Sequence, residues 1–189
     1  MKHHRRSIRL PGYDYSAAGA YFITICTKDR IPLFGEIVNG EMRLNECGRI
    51  VDNCWGPIPE HFPHVQLDAF VVMPDHIHGV VWITSYNDQI DSTHVGANNY
   101  SPLPTQNGPV SICPRGTSRS IGSVIRGFKI GVTMDVHKIL PGIKIWQRNY
   151  YEHIIRNESG LSRIRQYIID NPLKWDADHD KSHHEKPFW

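Results

Sequence analysis

Residues 73–82 read MPDHIHGVVW, a run rich in β-forming residues that carries two histidines two positions apart. Side chains alternate between faces along a strand, so His76 and His78 share one face while Ile77 points the other way into apolar packing. Two imidazoles side by side are suited to bind a divalent transition ion, whereas a lone buried histidine is usually only hydrogen-bonded in the core. The spacing leaves a metal site and a structural pair as alternatives.

A second informative stretch lies at residues 161–172, which read LSRIRQYIIDNP. Its apolar residues recur three and four positions apart, which predicts an amphipathic helix, and Pro172 is predicted to end it. Tyr167 and Asn171 are four residues apart and share one helix face, which places a phenol nucleophile beside an amide oxygen that can bind a hard cation. The alternative is a packed tyrosine followed by an asparagine that terminates the helix.

The rest of the chain alternates between strand and helix patterns. The predicted elements are a strand at 20–27, a hairpin at 33–44 with its turn at Asn39-Gly40, a helix capped by Asn45 and running to about 55, a strand at 65–73, the histidine strand, a helix at about 119–139, an extended segment at 145–155 and the tyrosine helix. The short Pro74-Asp75 connection predicts that the two strands beside it are antiparallel neighbours. This order predicts an α+β fold built on an antiparallel sheet.

Length and composition predict a single domain over residues 1–189 with enough apolar content, 40%, to form a core. Residues 85–118 are polar and rich in Ser, Asn, Pro and Gly, which predicts a flexible insertion loop. We expect a cytoplasmic protein with no membrane association, because no apolar run is long enough to span a bilayer and no apolar signal core follows the N-terminus. The four cysteines lack zinc-type spacing and are interpreted as reduced thiols.

The basic residues are concentrated in two places, although the net charge is only +2. One is an N-terminal arm that includes Arg5, Arg6 and Arg9. The other is the predicted helix at 119–139, where Arg126 and Lys129 fall off an apolar stripe that runs from 121 to 139. A solvated charged surface is the ordinary explanation for both clusters, and a surface that follows a nucleic-acid backbone is the alternative.

Considered together, these stretches resemble the HUH endonucleases that carry one catalytic tyrosine, and more closely the REP-associated tyrosine transposases. The matching stretches are GYDY at 12–15, VVMPDHIHG at 71–79, IRGFK at 125–129, WQRNYYEH at 146–153 and YIIDNP at 167–172. The resemblance extends from about residue 7 to about residue 175. A histidine pair alone is a weak signal, but the ordered set is specific.

The resemblance implies a ferredoxin-like antiparallel sheet with helices, the HUH nuclease fold, in which the histidines lie on a central strand and face the tyrosine helix. It implies that Tyr167 is the nucleophile and that His76, His78 and Asn171 bind magnesium or manganese. The implied reaction cleaves and rejoins single-stranded or hairpin DNA through a 5′-phosphotyrosine, which frees a 3′ hydroxyl. The residues predicted to contact DNA are Arg5, Arg6, Arg9, Arg126, Lys129, Gln147 and Arg148.

Two other functions stay open at this point: a non-catalytic module that binds single-stranded nucleic acid on the same sheet, and a metallonuclease that uses water while Tyr167 is merely packed. Tyr150 and Tyr151 are interpreted as structural or DNA-stacking residues. Glu152 and His153 are weaker candidates for contact with a metal centre. The sequence predicts either a monomer or a homodimer that exchanges tyrosine helices, without deciding between them.

Overall fold

The fold is known from a computed structural model of the chain that describes residues 12–84 and 119–179, with backbone only for 176–179. The elements are β1 (Gly19–Cys26), β2 (Gly35–Val38), β3 (Glu41–Leu44), α1 (Glu46–Trp55), α2 (Ile58–His61), β4 (Val65–Val72), β5 (His76–Ile83), α3 (Ile121–Ile139), β6 (Tyr151–Ile155) and α4 (Glu158–His179). The basic arm with Arg5, Arg6 and Arg9, and the insertion predicted at 85–118, lie outside the described residues.

The main sheet has four strands in the order β4-β5-β1-β6, and every neighbouring pair is antiparallel. With the β2–β3 hairpin and the short helix α2 set aside, the elements from β1 to β6 follow one another as β1, α1, β4, β5, α3 and β6, the βαββαβ order of a ferredoxin-like fold. The α+β class and the ferredoxin-like sheet predicted from the sequence are therefore confirmed. The hairpin turn also lies at Asn39-Gly40, where both residues have positive φ angles of 55° and 76°.

The two faces of this sheet are covered by different helices. On one face, Tyr21 and Ile77 belong to the larger core, together with buried residues of α1 and α3. On the other face, Phe22 and Val80 pack against Leu161, Ile164 and Ile168 of α4 in a second, smaller core. Because residues alternate along β5, the even-numbered positions that include both histidines face α4.

Two details of the sequence-based prediction are wrong. Pro172 does not end the tyrosine helix, because α4 continues through it to His179. A proline inside a helix costs about 3 kcal/mol, and contacts made by the following turn offset that cost: the Trp175 ring stacks on His76, and Leu173 lies against Gly40. The apolar stripe of α3 is buried only as far as Val136, since Ile139 lies in the last turn and is 36% exposed.

Helix α4 is fastened to the sheet by an ion pair. The guanidinium of Arg165 donates two hydrogen bonds to the Asp68 carboxylate on β4, at 2.9 and 2.6 Å. Asp68 also accepts a hydrogen bond from the indole N–H of Trp82 at 3.2 Å, which ties it to β5. These bonds, the Arg165 contact first, lower the pKa of Asp68 to about 2. The pair orients the helix two residues before Tyr167.

Gly79, which directly follows the histidine pair, is required by packing on the opposite face. The Trp55 ring lies against the Gly79 backbone and stacks on Phe70 at a centroid distance of 4.3 Å. A Cβ at position 79 would overlap two carbons of this ring.

In the described residues, no helix combines the length and apolar character needed to cross a bilayer.

We predict that Gly79→Ala lowers the free energy of unfolding by about 1 to 3 kcal/mol, the usual cost of overpacking a core. Chemical denaturation monitored by tryptophan fluorescence measures the change. Gly56→Ala is the matched control, since no atom lies within 4 Å of the Cβ it would add and its φ of −52° suits any residue. Equal stability of the two variants would contradict the packing argument.

We predict that Asp68→Asn lowers the melting temperature at neutral pH, with a difference from the wild type that shrinks as the pH falls from about 4 to about 2. The sign follows from the lowered pKa of Asp68 in the folded protein. The ionised carboxylate stabilises the folded state fully above the pKa that it has in the unfolded chain, and this stabilisation is lost as the pH falls through the folded-state pKa. Glu158→Gln is the control, because Glu158 is 77% exposed and reaches Arg165 only at 3.5 Å. A pH-independent difference would contradict the role of the Asp68 charge.

Candidate active site

The two histidines occupy a buried position at the centre of the sheet. Both lie on β5, whose neighbours β4 and β1 pair with it on either side. His76 is 7% exposed and His78 is 5% exposed, so each ring is enclosed by protein. The Phe22 ring stacks on His78 at 5.2 Å, and the Trp175 ring stacks on His76 at 5.9 Å. The face shared by the histidines is therefore a pocket between the sheet and α4.

The ring nitrogens of this pair converge on one point. The Nε2 atoms of His76 and His78 are 3.0 Å apart. Two nitrogen ligands at right angles and about 2.1 Å from one ion would also be separated by about 3 Å. The opposite nitrogens have their own partners: Nδ1 of His76 lies 2.5 Å from Oδ1 of Asp75, and Nδ1 of His78 lies 2.8 Å from Oγ1 of Thr24. The geometry fits two imidazole ligands of one divalent cation.

The electrostatic surroundings keep His78 uncharged. Burial, and then the nearby charges of His76 and Arg30, hold the pKa of His78 well below its ordinary value. A neutral imidazole has a lone pair on one ring nitrogen, and only that form can ligate a metal or accept a hydrogen bond. His78 is therefore competent as a ligand at neutral pH.

Tyr167 reaches the histidine pair from α4. Its hydroxyl lies 3.4 Å from Nε2 of His78, and its ring contacts His78 at a centroid distance of 5.2 Å. Phe22, which stacks on His78, makes a second, edge-on contact with the Tyr167 ring at a centroid distance of 6.1 Å. The tyrosine and the histidines predicted from separate stretches of the sequence thus meet at one site, with the phenol oxygen next to the converging nitrogens.

Asn171 lies between two residues that contact the histidines. It follows Tyr167 by one helical turn and precedes Trp175 by another, so all three share one face of α4. The side chain of Asn171 is only 8% exposed. In the described part of the chain, no group of three or more His, Cys, Asp or Glu side chains is placed to hold a metal. Among the described residues a third protein ligand would therefore be of another type, and Asn171, one turn after Tyr167 on α4, is a candidate.

Neighbouring candidates on β6 are divided between the two faces of the sheet. Tyr151 pairs with Thr24 and His153 with Phe22, so both belong to the face of the histidines. Glu152 pairs with Ile23, whose side chain lies in the opposite core, and it therefore points away from the histidine pair. Of the candidates on this strand, Tyr151 and His153 stay on the face of the site.

The predicted DNA-contacting residues on α3 lie on the other side of the sheet. Arg126 and Arg148 are exposed and border a surface groove of about 420 Å³ that also contains Tyr150. Lys129 borders the groove too, but its ammonium donates hydrogen bonds to the backbone oxygens of Gln147 and Asn149 at 2.9 and 3.1 Å. Burial lowers the Lys129 pKa to about 8. Lys129 therefore supports the segment that carries Gln147 and Arg148.

Sequence reasoning missed several residues that build the site. Asp75, Thr24 and Trp175 each contact a histidine directly. Asp75 was detectable in principle, since it is the carboxylate immediately before His76. Thr24 and Trp175 gave no local signal, because each reaches the site only through strand pairing or helix packing.

No protein-family model matches the chain. A protein of Haemophilus influenzae described as uncharacterized is 46% identical over 176 residues, which cover 93% of this chain and 92% of that protein. A second Haemophilus influenzae protein, described as a putative REP-associated tyrosine transposase, is 26% identical over 161 residues, covering 85% of this chain and 74% of the relative.

A solved structure has the same fold. It is that of a REP-associated tyrosine transposase bound to a REP hairpin, and it matches 93% of this chain and 74% of its own at a TM-score of 0.53 and 20% identity. The resemblance that the sequence motifs predicted is confirmed by this shared fold and by the named relative. The chain therefore belongs to one family with the uncharacterized Haemophilus influenzae protein, and it is similar to the putative REP-associated tyrosine transposase of the same organism.

Proposed function

We propose that this protein is a metal-dependent tyrosine transposase that cleaves and rejoins single-stranded hairpin DNA through a 5′-phosphotyrosine intermediate. One observation carries the proposal: the Tyr167 hydroxyl lies 3.4 Å from a buried imidazole nitrogen that converges with a second one. A nucleophile beside a cation-binding pair is the arrangement that phosphoryl transfer to a protein side chain requires. The relationship to proteins of the transposase class supports the same function.

In the proposed reaction the Tyr167 oxygen attacks the scissile phosphorus. A phosphorus–oxygen bond to the tyrosine forms while the bond to the 3′ oxygen breaks, and that oxygen leaves as a 3′ hydroxyl after it takes up a proton. The phosphodiester energy is kept in the phosphotyrosine, so attack by another 3′ hydroxyl rejoins DNA and releases Tyr167. The sheet and α4 hold the phenol ring in position, since it packs against the stacked rings of Phe22 and His78.

His76, His78 and Asn171 would hold the magnesium or manganese ion. The bound ion would supply positive charge that polarises the scissile phosphate and stabilises the transition state. The buried position of the two imidazoles strengthens this effect, because electrostatic interactions are screened less in a protein interior than in water.

A DNA substrate is supported by charge and position. The solved relative is bound to a REP hairpin. In this chain, Arg126 and Arg148 are exposed along the groove, and Tyr150 adds an aromatic surface of the kind that stacks on unpaired bases. Tyr151 follows Tyr150 directly and pairs with Thr24, which in turn pairs with His78. The segment that carries Arg148 and Tyr150 therefore ends at the same level of the sheet as the histidines. We expect Arg5, Arg6 and Arg9 to add contacts to phosphates, and we expect the protein to act in the cytoplasm.

We predict that Tyr167→Phe abolishes the covalent protein–DNA adduct while fold and DNA binding persist, because the substitution removes one oxygen and keeps the ring. The assay incubates the protein with manganese and end-labelled hairpin DNA and resolves adducts on a denaturing gel. Tyr150→Phe and Tyr151→Phe are matched controls that should form the adduct normally. An adduct with Tyr167→Phe would refute the nucleophile assignment and make Tyr151 the first alternative.

The same gel separates the competing functions. A covalent adduct indicates transposase chemistry, a free cleaved product indicates hydrolysis by water, and retarded but intact DNA on a native gel indicates a binding module.

His76→Ala and His78→Ala should each reduce cleavage strongly, with partial recovery at high manganese concentration, since each removes one ligand.

We predict that neutralising Arg126 and Arg148 together weakens the salt dependence of hairpin binding. If each residue contacts one phosphate of a single strand, the slope of log K against log salt concentration should become less steep by about 1.4. Fluorescence anisotropy at several salt concentrations measures the slope. Lys129→Met is the comparison, because its ammonium bonds the backbone and its loss should lower thermal stability instead. An unchanged slope in the double variant would remove this groove from the DNA interface.

A further inference from the structure

The two histidines are held from behind by side chains of different chemistry, a carboxylate and a hydroxyl. We propose that Asp75 and Thr24 are positioning residues that fix both imidazoles with the proton on Nδ1, so that the two Nε2 lone pairs are presented to one cation. This inference rests on the proposed function, since it assigns the residues that orient the ligands of that ion.

Asp75 is held firmly in the turn between β4 and β5. Its backbone oxygen accepts hydrogen bonds from both the amide and the hydroxyl of Thr27, at 2.8 and 2.9 Å. The preceding Pro74 oxygen accepts a further bond from the Phe34 amide at 3.0 Å. Asp75 itself is only 5% exposed. The turn therefore directs the carboxylate onto Nδ1 of His76 with little freedom to move away.

The contacts of Asp75 make it a positioning residue rather than a ligand. Its Oδ1 lies 2.5 Å from Nδ1 of His76, on the side of the ring away from Nε2. Its two oxygens also lie 3.5 and 3.4 Å from the guanidinium of Arg30, an exposed cation that balances the carboxylate charge. A carboxylate bonded to the second nitrogen of a metal-binding histidine sets the tautomer and raises the basicity of the ligating nitrogen.

Thr24 plays the same part for His78 without a charge. The register of β1 and β5 places Thr24 directly opposite His78, and its Oγ1 lies 2.8 Å from Nδ1. The hydroxyl accepts the Nδ1 hydrogen and leaves Nε2 free to face the Nε2 of His76. Because hydrogen bonds to a carboxylate are about twice as strong as neutral ones, loss of Asp75 should weaken cation binding more than loss of Thr24.

The test measures cation affinity without catalysis. Manganese binding to the full chain is followed by the electron paramagnetic resonance signal of free Mn²⁺. Asp75→Ala should raise the dissociation constant about 10- to 100-fold, the usual effect of removing such a partner, and Thr24→Val should raise it less. Asp75→Asn keeps an acceptor without the charge and should lie between the wild type and Asp75→Ala, and Thr24→Ser, which keeps the hydroxyl, should lie close to the wild type. Asp135→Ala and Thr133→Val, on α3, are controls that should change nothing.

The protonated ring nitrogen is identified by long-range ¹H–¹⁵N correlation in metal-free protein with labelled histidine, because a metal on Nε2 would by itself leave the proton on Nδ1. We expect Nδ1 protonation of both rings in the wild type, and loss of the single tautomer of His76 in Asp75→Ala. Wild-type affinity in both Asp75→Ala and Thr24→Val would overturn the inference and leave the proposed metal site standing. Weaker binding with unchanged tautomers would make Asp75 a direct ligand and also overturn it. Failure of the wild type to bind manganese would overturn the metal site and this inference together.

Discussion

The antiparallel pairing of β5 with β1 is the constraint on which the rest of the site depends. It buries β5 at the centre of the sheet and places Thr24 directly opposite His78. The alternation of side chains then sends Ile77 into the larger core while both histidines face α4. A slip of one residue in this register would bury the histidines under α1 and α3 and turn Ile77 towards Tyr167. Apolar packing on one face thus determines the chemistry presented on the other.

The same reasoning explains how much of the molecule was predictable from its sequence. Strand periodicity identified the shared face of His76 and His78, and helical periodicity placed Tyr167 on an amphipathic helix; both are local patterns that tertiary contacts reinforce. The sheet order and the approach of α4 to the histidines came from the family resemblance, because pairing between distant strands leaves little trace in one sequence. The DNA-contacting residues and the metal ligands remain predictions, since they depend on partners that are not part of the chain.

The wrong expectation at Pro172 shows why the remainder was not predictable. Local sterics favour a helix end before proline, but Trp175 gains a stacking contact with the buried His76 only if the helix continues. The sequence position of Lys129 on a charged face likewise gave no indication that its ammonium bonds two backbone oxygens of a distant segment, while its predicted DNA contact stays a prediction. At both positions a long-range contact determines what the residue does. Such a contact cannot be recognised in a window of sequence that contains only one of the two partners.

These contacts also divide the work of positioning between the sheet and the helix. The histidines are oriented by residues of the sheet and its turns, Asp75 and Thr24, whereas Tyr167 is oriented by α4, which the Arg165–Asp68 ion pair fastens to β4. β5 thus carries the two histidines, whereas α4 carries Tyr167, the Asn171 predicted as a third ligand and the Trp175 ring that stacks on His76. In the proposed reaction, any displacement of α4 would therefore move Tyr167 and Asn171 together relative to the two imidazoles, so the Arg165–Asp68 ion pair would help to keep the whole site assembled.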